Sequence, residues 1–372
     1  MLCMILVSCT GQKTGKENDN NDKIAIEVGG IKFPPQDVLQ LKSYYLSSSV
    51  HVDSIDYLIG YNYRLHSLDC MNLKSKSVTQ IVLPGDGPDA IVRLSGIYAQ
   101  SLDSVWISDE SERAFLIDSV GTIKRMIDLK KYLEDQEQLL INTNYAMFTS
   151  HLFYNASRHS LMFLVKHTPS NTFIVKEVFI DEVGKMATYQ LSSSKVVPDM
   201  SKGYAYINFP NVNFVGENIV YNYPVESSIY MLDIRTNERK YILADSHYTS
   251  NIIEKCTTSG DYATLEKHWL ENSHFYDIMY LPKYKIYARL HADKVDFDEK
   301  KGMEKLINER DLYLMLFDEN MEKIGETKLS NCRYSPFTSW NATYGGIALF
   351  VDNVLDEKNN TDDLTIDIIS LK

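Results

Sequence analysis

Four basic side chains are the first candidates for chemistry, since each falls just before or at the start of a segment with the composition of a β-strand. They are Arg93, His151, His274 and Arg333. If these strand starts converge around one axis, Arg93, His274 and Arg333 would present donors to a carboxylate or a sugar acid, an anion that planar guanidinium groups recognise well. We therefore predict these three as ligand-binding residues. The alternative is that each is a solvated residue at the end of a strand.

Metal and cofactor chemistry has less support in the sequence. The acidic segment 352–363 is rich in the oxygen ligands that calcium prefers, but it contains Lys358 and lacks the ligand and glycine spacing of a known calcium loop. His268 and His274 have a separation that matches no zinc motif. No HExxH, GxSxG, Walker A, GxGxxG or EF-hand pattern occurs. The sequence thus predicts no metal site and no cofactor, with calcium at the acidic segment as the alternative.

The three tryptophans, Trp106, Trp269 and Trp340, are candidates for stacking on sugars. The alternation of apolar and polar residues around Trp106 indicates that its side chain points into a core between sheets. We assign none of the three to binding.

A repeated unit must position these residues. An apolar strand, a polar turn, a second strand, another turn and a third strand recur along the chain. The copies begin at Tyr57, Ser104, Ser160, Asn218, Lys285 and Gly346. Further strand-like segments precede the copies, such as Gly96–Ala99, Phe275–Met279 and Pro336–Trp340. Four-stranded units around an axis predict an all-β, six-bladed β-propeller of antiparallel blades, with long loops on at least one face. A pair of β-sandwiches is the alternative.

The two ends of the repeat region complement each other. The sixth unit stops at Lys372 after its third strand, while an unpaired strand, Ile24–Val28, lies at the other end. If this strand pairs with the last blade, the ring closes and two exposed sheet edges disappear. We predict only two short helices, one at Lys130–Leu140 from its helical spacing of apolar residues and one in the charged segment Lys300–Arg310.

The N-terminal residues have the pattern of a processing and tethering segment. Residues 1–9 are mostly apolar and end in LVSC, which resembles a bacterial lipobox, the tetrapeptide whose cysteine is acylated after cleavage. The chain then divides into a signal-peptide remnant at 1–8, a flexible tether at 9–23 lipidated on Cys9, and the propeller at 24–372. A buried N-terminal strand is the alternative. The remaining Cys70, Cys256 and Cys332 allow at most one disulfide and favour free thiols.

A loop, a strand and a turn follow one another after the first repeat. The loop Leu83–Ile91 reads LPGDGPDAI, the aromatic strand begins at Gly96–Tyr98, and the turn Ser101–Trp106 reads SLDSVW. In this order they resemble a family of uncharacterised propeller lipoproteins of Gram-negative gut bacteria, catalogued as a domain of unknown function. The resemblance spans essentially all of residues 24–372. It implies a six-bladed fold and an envelope location, and it implies no reaction.

Composition separates the classes of function. The apolar fraction of 44% is enough for a large core, and 25 Tyr with 14 Phe favour strands. The formal charge of −12 would repel phosphate backbones and anionic lipid surfaces. We therefore expect no nucleic-acid partner, and membrane contact through the lipid anchor only.

The leading hypothesis is a monomeric, envelope-anchored binding module, periplasmic or surface-exposed, that recognises a peptide, a glycan or an envelope protein without catalysing a reaction. One alternative is a hydrolase or lactonase-like enzyme with a cation in the central channel, held by inward-facing side chains of at least three blades. Another is a subunit of an envelope assembly, which predicts a large apolar patch on one face.

Overall fold

Antiparallel β-sheets dominate the molecule. The computed structural model describes residues 25–34, 41–140, 149–197, 209–256, 261–336, 340–358 and 363–372. Their 25 strands form six sheets, which stand around one axis as the blades of a propeller. The predicted six-bladed β-propeller is therefore confirmed, and the sandwich alternative is wrong.

The first strand, β1 (Ile26–Phe33), belongs to the last blade, and blades 1 to 3 follow it along the chain. Blade 1 consists of β2 (Ser47–Val52), β3 (Ile55–Asn62), β4 (Ser67–Asn72) and β5 (Val78–Val82). Blade 2 consists of β6 (Leu94–Ser101), β7 (Ser104–Asp109), β8 (Arg113–Ile117) and β9 (Ile123–Asp128). Blade 3 consists of β10 (Glu137–Leu139), β11 (Phe153–Asn155), β12 (Ser160–His167), β13 (Thr172–Phe179) and β14 (Met186–Gln190). In blade 3, both β10 and β11 pair with β12, so two short strands share the innermost position.

Blades 4 to 6 complete the ring. Blade 4 consists of β15 (Asn211–Val215), β16 (Asn218–Asn222), β17 (Ile229–Asp233) and β18 (Arg239–Ile242). Blade 5 consists of β19 (His274–Leu281), β20 (Ile286–Ala292), β21 (Leu312–Phe317) and β22 (Lys323–Lys328). Blade 6 consists of β23 (Trp340–Ala342), β24 (Ile347–Phe350), β25 (Leu364–Leu371) and, outermost, β1.

The innermost strands contact one another around the axis. The contacting pairs are β2 with β6, β6 with β11, β15 with β19, β19 with β23, and β23 with β2. The segment before β11 joins β15 through a parallel bridge between Ser150 and Val212. The six innermost positions therefore surround one central channel.

The two faces of the ring carry different loops. We call the face where the innermost strands end the exit face, and the opposite one the entry face. Short hairpins, such as Asp53–Ser54 between β2 and β3, turn on the exit face. The longer connections lie on the entry face, where the described parts are 243–256 and 261–273 before β19, 293–311 before β21, and 351–358 after β24. Long loops therefore decorate one face, as the blade spacing predicts.

Polar turns on the exit face define where strands end. Asp118 and Asp318 each begin a turn in which the carboxylate accepts backbone N–H groups from two and four residues further along, at 2.8 to 3.1 Å. Gly121 adopts a φ of +85°, and a Cβ atom there would lie 2.4 Å from the carbonyl oxygen of Val82. Only glycine fits this position without displacing the backbone of blade 1.

Pairing between the two ends of the chain closes the ring. β1 pairs antiparallel with β25, from Ile26 opposite Leu371 to Phe33 opposite Leu364. Phe33 is fully buried and packs in a cluster with Leu58 of blade 1. The predicted closure is confirmed, although the strand extends five residues beyond the predicted end at Val28. Residues 1–24, which contain Cys9 and the predicted tether, lie outside the described residues.

Apolar side chains that interleave between neighbouring blades form the core. Trp106 on β7 is 1% exposed and stacks on Tyr154 of blade 3, with ring centroids 5.8 Å apart. The inward orientation that alternation predicts for Trp106 is therefore confirmed. Cys70 is buried, and Cys70, Cys256 and Cys332 form no disulfide among the described residues.

The helices differ from the prediction. Lys130–Leu140 is not an α-helix, because a 3₁₀ helix at Leu129–Tyr132 is followed by β10. The backbone of Glu137 pairs with β12, and its carboxylate lies 2.5 Å from the buried amino group of Lys176. These tertiary contacts outweigh the local helical pattern. Within the described residues, the α-helices are α1 (Tyr262–Leu270), which was not predicted, and α2 (Met303–Asn308), which lies inside the predicted Lys300–Arg310.

Candidate functional site

A cavity of about 380 Å³ occupies the central channel, and all six blades contribute to its lining. Representative lining residues from blades 1 to 6 are Ser48, Tyr98, His151, Asn213, Asp277 and Asn341. Exposed Gly216 and Pro282, which directly follow β15 and β19, also line it. The cavity therefore reaches the exit face. A concave pocket of this size with a few polar groups is the usual form of a small-molecule site.

Asp277 is the buried carboxylate of the cavity. It lies in a β-bulge, since Phe275 pairs with His291 and Ile278 pairs with Arg289, leaving one extra residue on β19. A bulge reorients the side chains at that point of a strand. The Asp277 side chain is 3% exposed, and its Oδ1 accepts a 2.8 Å hydrogen bond from Nε1 of Trp340 on β23.

His151 faces Asp277 across the channel. Its Nε2 lies 3.2 Å from Oδ2 of Asp277, and its side chain is 31% exposed. An ionised carboxylate can only accept hydrogen bonds, so Nε2 of His151 donates to Asp277, and in the neutral tautomer that carries its proton on Nε2 the other nitrogen, Nδ1, has a lone pair. Nδ1 has no hydrogen-bond partner that the described ranges reveal. The imidazole thus joins blade 3 to blade 5 and keeps one nitrogen for a ligand.

The division of the innermost strand of blade 3 determines where His151 lies. Residues 141–148, between β10 and β11, lie outside the described residues, and the N–H of Thr149 donates to Oδ1 of Asn211 at 2.7 Å. The carbonyl oxygen of Thr149 in turn accepts from the N–H of Val212 at 2.8 Å. These bonds fix the segment before β11 to blade 4, two residues before His151.

Aromatic and hydroxyl or amide side chains occupy different parts of the wall. Half-buried Tyr98 and Phe153, with buried Phe214, form an aromatic arc on blades 2 to 4. The ring centroids of Tyr98 and Phe153 are 5.1 Å apart, and those of Phe153 and Phe214 are 4.8 Å apart. Ser47, Ser49 and Asn341 form a polar arc on blades 1 and 6.

Hydrogen bonds between blades hold the polar arc in place. Nδ2 of Asn341 donates to Oγ of Ser47 at 2.5 Å, and Oγ of Ser49 donates to the carbonyl oxygen of Ala342. The Ser49 hydroxyl, which donates in this contact, still has lone pairs with which to accept. The polar arc is therefore ordered before any ligand arrives.

Charge in the lining is confined to one pair. Of the described lining residues, none is Lys, Arg or Glu, and Asp277 and His151 are the acid and the imidazole. Both oxygens of the buried Asp277 carboxylate have hydrogen-bond partners, in His151 and Trp340, so the cavity has no Lys or Arg for an anion and no exposed carboxylate for a cation. An uncharged ligand therefore suits it better than an ion.

Arg93 directly precedes β6, whereas Arg333 lies seven residues before β23, and neither lines the cavity. The side chain of Arg93 is 57% exposed and lies 3.6 Å from Glu110. Arg333 donates two hydrogen bonds to Asp367, at 2.5 and 3.0 Å, and these bonds raise the pKa of its guanidinium. Two of the N–H groups of the Arg333 guanidinium are thus already bound to Asp367. Carboxylate binding by Arg93 and Arg333 stays a prediction.

His274 is fully buried and also lies away from the cavity lining. Its Nδ1 accepts a 3.3 Å hydrogen bond from Nε1 of Trp269. Burial, with a contribution from Arg310, holds the pKa of His274 well below its ordinary value. The structure does not bring Arg93, His274 and Arg333 together around the cavity, whereas it places His151 inside it.

Metal ligands are not clustered in the part of the chain that the structure describes, where no group of three or more His, Cys, Asp or Glu could hold an ion. In the acidic segment, the amide of Asn353 donates to the carbonyl oxygens of Asn308 and Tyr334, and Asp356 lies 3.7 Å from Arg333. Residues 359–362 of this segment lie outside the described residues. Calcium binding there stays the untested alternative to the prediction of no metal site.

The sequence placed His151 among four basic residues near strand starts but did not predict it as a ligand-binding residue, and it missed Asp277 and did not assign Trp340. The segment Phe275–Met279 is predicted as a strand, and Asp277 is the acidic residue within an otherwise apolar and aromatic run. An acid in a buried innermost strand is the signal that would have identified it.

The chain is similar to proteins of one family. The model of a family described as a domain of unknown function (DUF4221) matches residues 19–328. A crystal structure of a DUF4221 member from Bacteroides vulgatus has a TM-score of 0.77 and 14% identity, and covers 95% of this chain and 99% of that one. A Bacteroides fragilis protein described as a candidate exported protein has a TM-score of 0.56 and 13% identity, with 94% and 97% covered. These identities show a shared fold alone.

No curated protein matches the chain. Within the described ranges, neither helix combines the length and the apolar character that crossing a membrane requires.

Proposed function

Since this chain belongs to the DUF4221 family, whose description assigns no activity, we propose that it is an envelope-anchored binding module that holds a small uncharged ligand in its central channel. The observation that carries the proposal is the convergence of two irregularities on one pair of residues. The divided innermost strand of blade 3 presents His151, and the bulge in β19 presents Asp277. Irregular strands cost pairing energy, and they recur next to functional sites.

The anchor is the second part of the proposal. The sequence LVSC at residues 6–9 has the pattern of a lipobox, and a structural relative is described as a candidate exported protein. An acyl group on Cys9 would hold the propeller at a membrane surface through residues 10–23. Expression of the full chain in a Gram-negative host should give a membrane-associated, acylated protein, and Cys9→Ser should release it while Cys3→Ser should not. Acylation that survives Cys9→Ser would contradict the anchor.

The binding proposal can be tested by blocking the channel. Ala342 lines the cavity on the short innermost strand of blade 6, so Ala342→Trp should fill part of the space. The matched control is Ala263→Trp on α1, where the side chain is exposed and belongs to no described lining. Both variants would be made in the full chain carrying Cys9→Ser, to keep it in solution.

Ligand-observed saturation-transfer NMR would compare these proteins against one compound set of methyl glycosides, nucleosides and short uncharged peptides. We expect at least one compound to bind the parent and Ala263→Trp but not Ala342→Trp. Failure of every compound to bind, or binding that Ala342→Trp leaves unchanged, would overturn the channel proposal. Elemental analysis of the same protein, purified without chelator, tests the hydrolase alternative, since a stoichiometric cation would favour that enzyme.

A further inference from the structure

We propose that the ligand of the central channel is a saccharide, with its apolar ring face on the aromatic arc and its hydroxyl rim on the polar arc and Nδ1 of His151. This inference rests on the proposed function and specifies the ligand class of the same cavity.

The distribution of polarity in the wall carries the argument. The aromatic arc comprises Tyr98, Phe153 and Phe214, and the polar arc comprises Ser47, Ser49 and Asn341. A ligand that satisfies both arcs needs one apolar side and one side rich in hydrogen-bonding groups. A pyranose ring has this character, because its C–H groups gather on a face while its hydroxyl groups radiate from the rim.

The chemistry of the polar groups also favours hydroxyl partners. The hydroxyl oxygen of Ser49 can accept a further hydrogen bond, and so can Nδ1 of His151 in the neutral tautomer that carries its proton on Nε2. A sugar hydroxyl can donate to any of these acceptors and accept from another group in turn. The lining has no Lys or Arg for a free carboxylate or phosphate, and the Asp277 carboxylate, which an ammonium would need, is 3% exposed with both oxygens already hydrogen-bonded.

The shape of the site favours a single ring or a chain end over an extended peptide. The cavity of about 380 Å³ is enclosed by all six blades and reaches the exit face at Gly216 and Pro282. An extended peptide is usually recognised along a sheet edge or in a long groove. A terminal sugar entering from the exit face would instead meet the wall on every side.

Two variants separate the contributions of the arcs. Phe153→Leu removes an aromatic ring but keeps an apolar side chain, and should weaken glycoside binding about threefold to tenfold. His151→Gln keeps a donor for Asp277 but moves the acceptor away from the position of Nδ1, and should weaken binding by about tenfold.

Matched controls lie in the same blade outside the cavity. His159 is an exposed histidine 3.7 Å from Asp181, so His159→Gln changes an equivalent pair away from the channel. Phe179 is the last residue of β13, its ring packs against the amino group of Lys185, and it does not line the cavity. Phe179→Leu is therefore the control for the aromatic change. Neither control should alter binding. If Phe153→Leu does not fold, Tyr98→Leu tests the same arc.

The experiment is a calorimetric or NMR titration of each methyl glycoside, nucleoside and peptide into the full chain carrying Cys9→Ser. Binding of a glycoside that Phe153→Leu and His151→Gln weaken, and the controls do not, supports the inference. If only nucleosides or peptides bind, and Ala342→Trp prevents it, the saccharide inference is overturned while the channel proposal stands. If glycosides bind without regard to either variant, the assigned contacts are wrong. If no compound depends on the channel, both proposals fall.

Discussion

Nε2 of His151 lies 3.2 Å from Oδ2 of Asp277, although 126 positions separate these residues in the chain. The contact joins blade 3 to blade 5 across the channel, and Trp340 of blade 6 holds the other carboxylate oxygen at 2.8 Å. Three blades therefore fix one carboxylate. Such mutual support leaves the imidazole with a defined orientation, which a binding site needs before its ligand arrives.

Replacement of Trp340 by phenylalanine should destabilise the propeller. The change removes the hydrogen bond to the buried Oδ1 of Asp277, which should lower the free energy of unfolding by about 1–3 kcal/mol. Trp106→Phe is the matched control, because Nε1 of Trp106 is buried and has no partner that the described residues provide. Urea unfolding of both variants measures the difference. Equal losses would show that the bond to Asp277 contributes nothing to stability.

Truncation of Phe33 tests the closure of the ring. Phe33 is fully buried on β1, so Phe33→Ala should lower the free energy of unfolding by about 3–5 kcal/mol. Val28 lies on the same strand and is 47% exposed, so Val28→Ala should change it by less than about 0.5 kcal/mol. Similar unfolding midpoints for the two variants would contradict the packing of β1 against blade 1.

Stability should decline in acid through Glu326. Burial alone would raise the pKa of Glu326, but hydrogen bonds from His291, Ser246 and the N–H of His247 lower it from 4.5 to about 2. A lowered carboxyl pKa means that the unfolded chain takes up the proton first. The contribution to stability is therefore complete above pH 4.5 and disappears as the pH falls towards about 2.

Glu326→Gln should flatten the fall in unfolding free energy between these two pH values. The exposed Glu238 on the turn between β17 and β18 provides the control variant Glu238→Gln, which should retain the acid dependence of the parent. Chemical unfolding at a series of pH values measures both. An unchanged slope in Glu326→Gln would exclude this carboxyl as the source.

The buried thiol of Cys70 should resist modification in the native protein. Burial, with a contribution from Asp69, raises the pKa of Cys70 to about 12, which leaves almost no thiolate at neutral pH. Cys256 is partly exposed, so a thiol reagent should label it first. Labelling followed by peptide mass spectrometry measures the order. Equal rates under native conditions would contradict the burial of Cys70.

The sequence was informative wherever structure depends on local pattern. The predicted starts at Ser104, Ser160 and Asn218 coincide with the first residues of β7, β12 and β16. Period-two alternation between polar turns produces these strands with little help from distant residues. Of the strand predicted at Pro336–Trp340, the structure shows only the last residue in a strand, because β23 begins at Trp340. Residues 337–339 lie outside the described residues.

The candidate site was harder to predict because two departures from regular pairing create it. The sequence of Lys130–Leu140 has helical spacing, yet Glu137 pairs with β12 once the blade has formed. The bulge at Asp277 shifts the register by one residue, which exchanges the two sides of a strand. Neither event has a local signal, so the meeting of His151 with Asp277 becomes visible only in the folded ring.

The imidazole of His151 reports on the central claim most directly. NMR of the full chain carrying Cys9→Ser, with isotope-labelled histidine, would follow its ring nitrogens during titration with the same glycosides, nucleosides and peptides. We predict that a bound compound shifts Nδ1 of His151, leaves exposed His159 unchanged, and has no effect in Ala342→Trp. A compound that binds the protein without moving the His151 signals would place the ligand outside the channel and contradict the account.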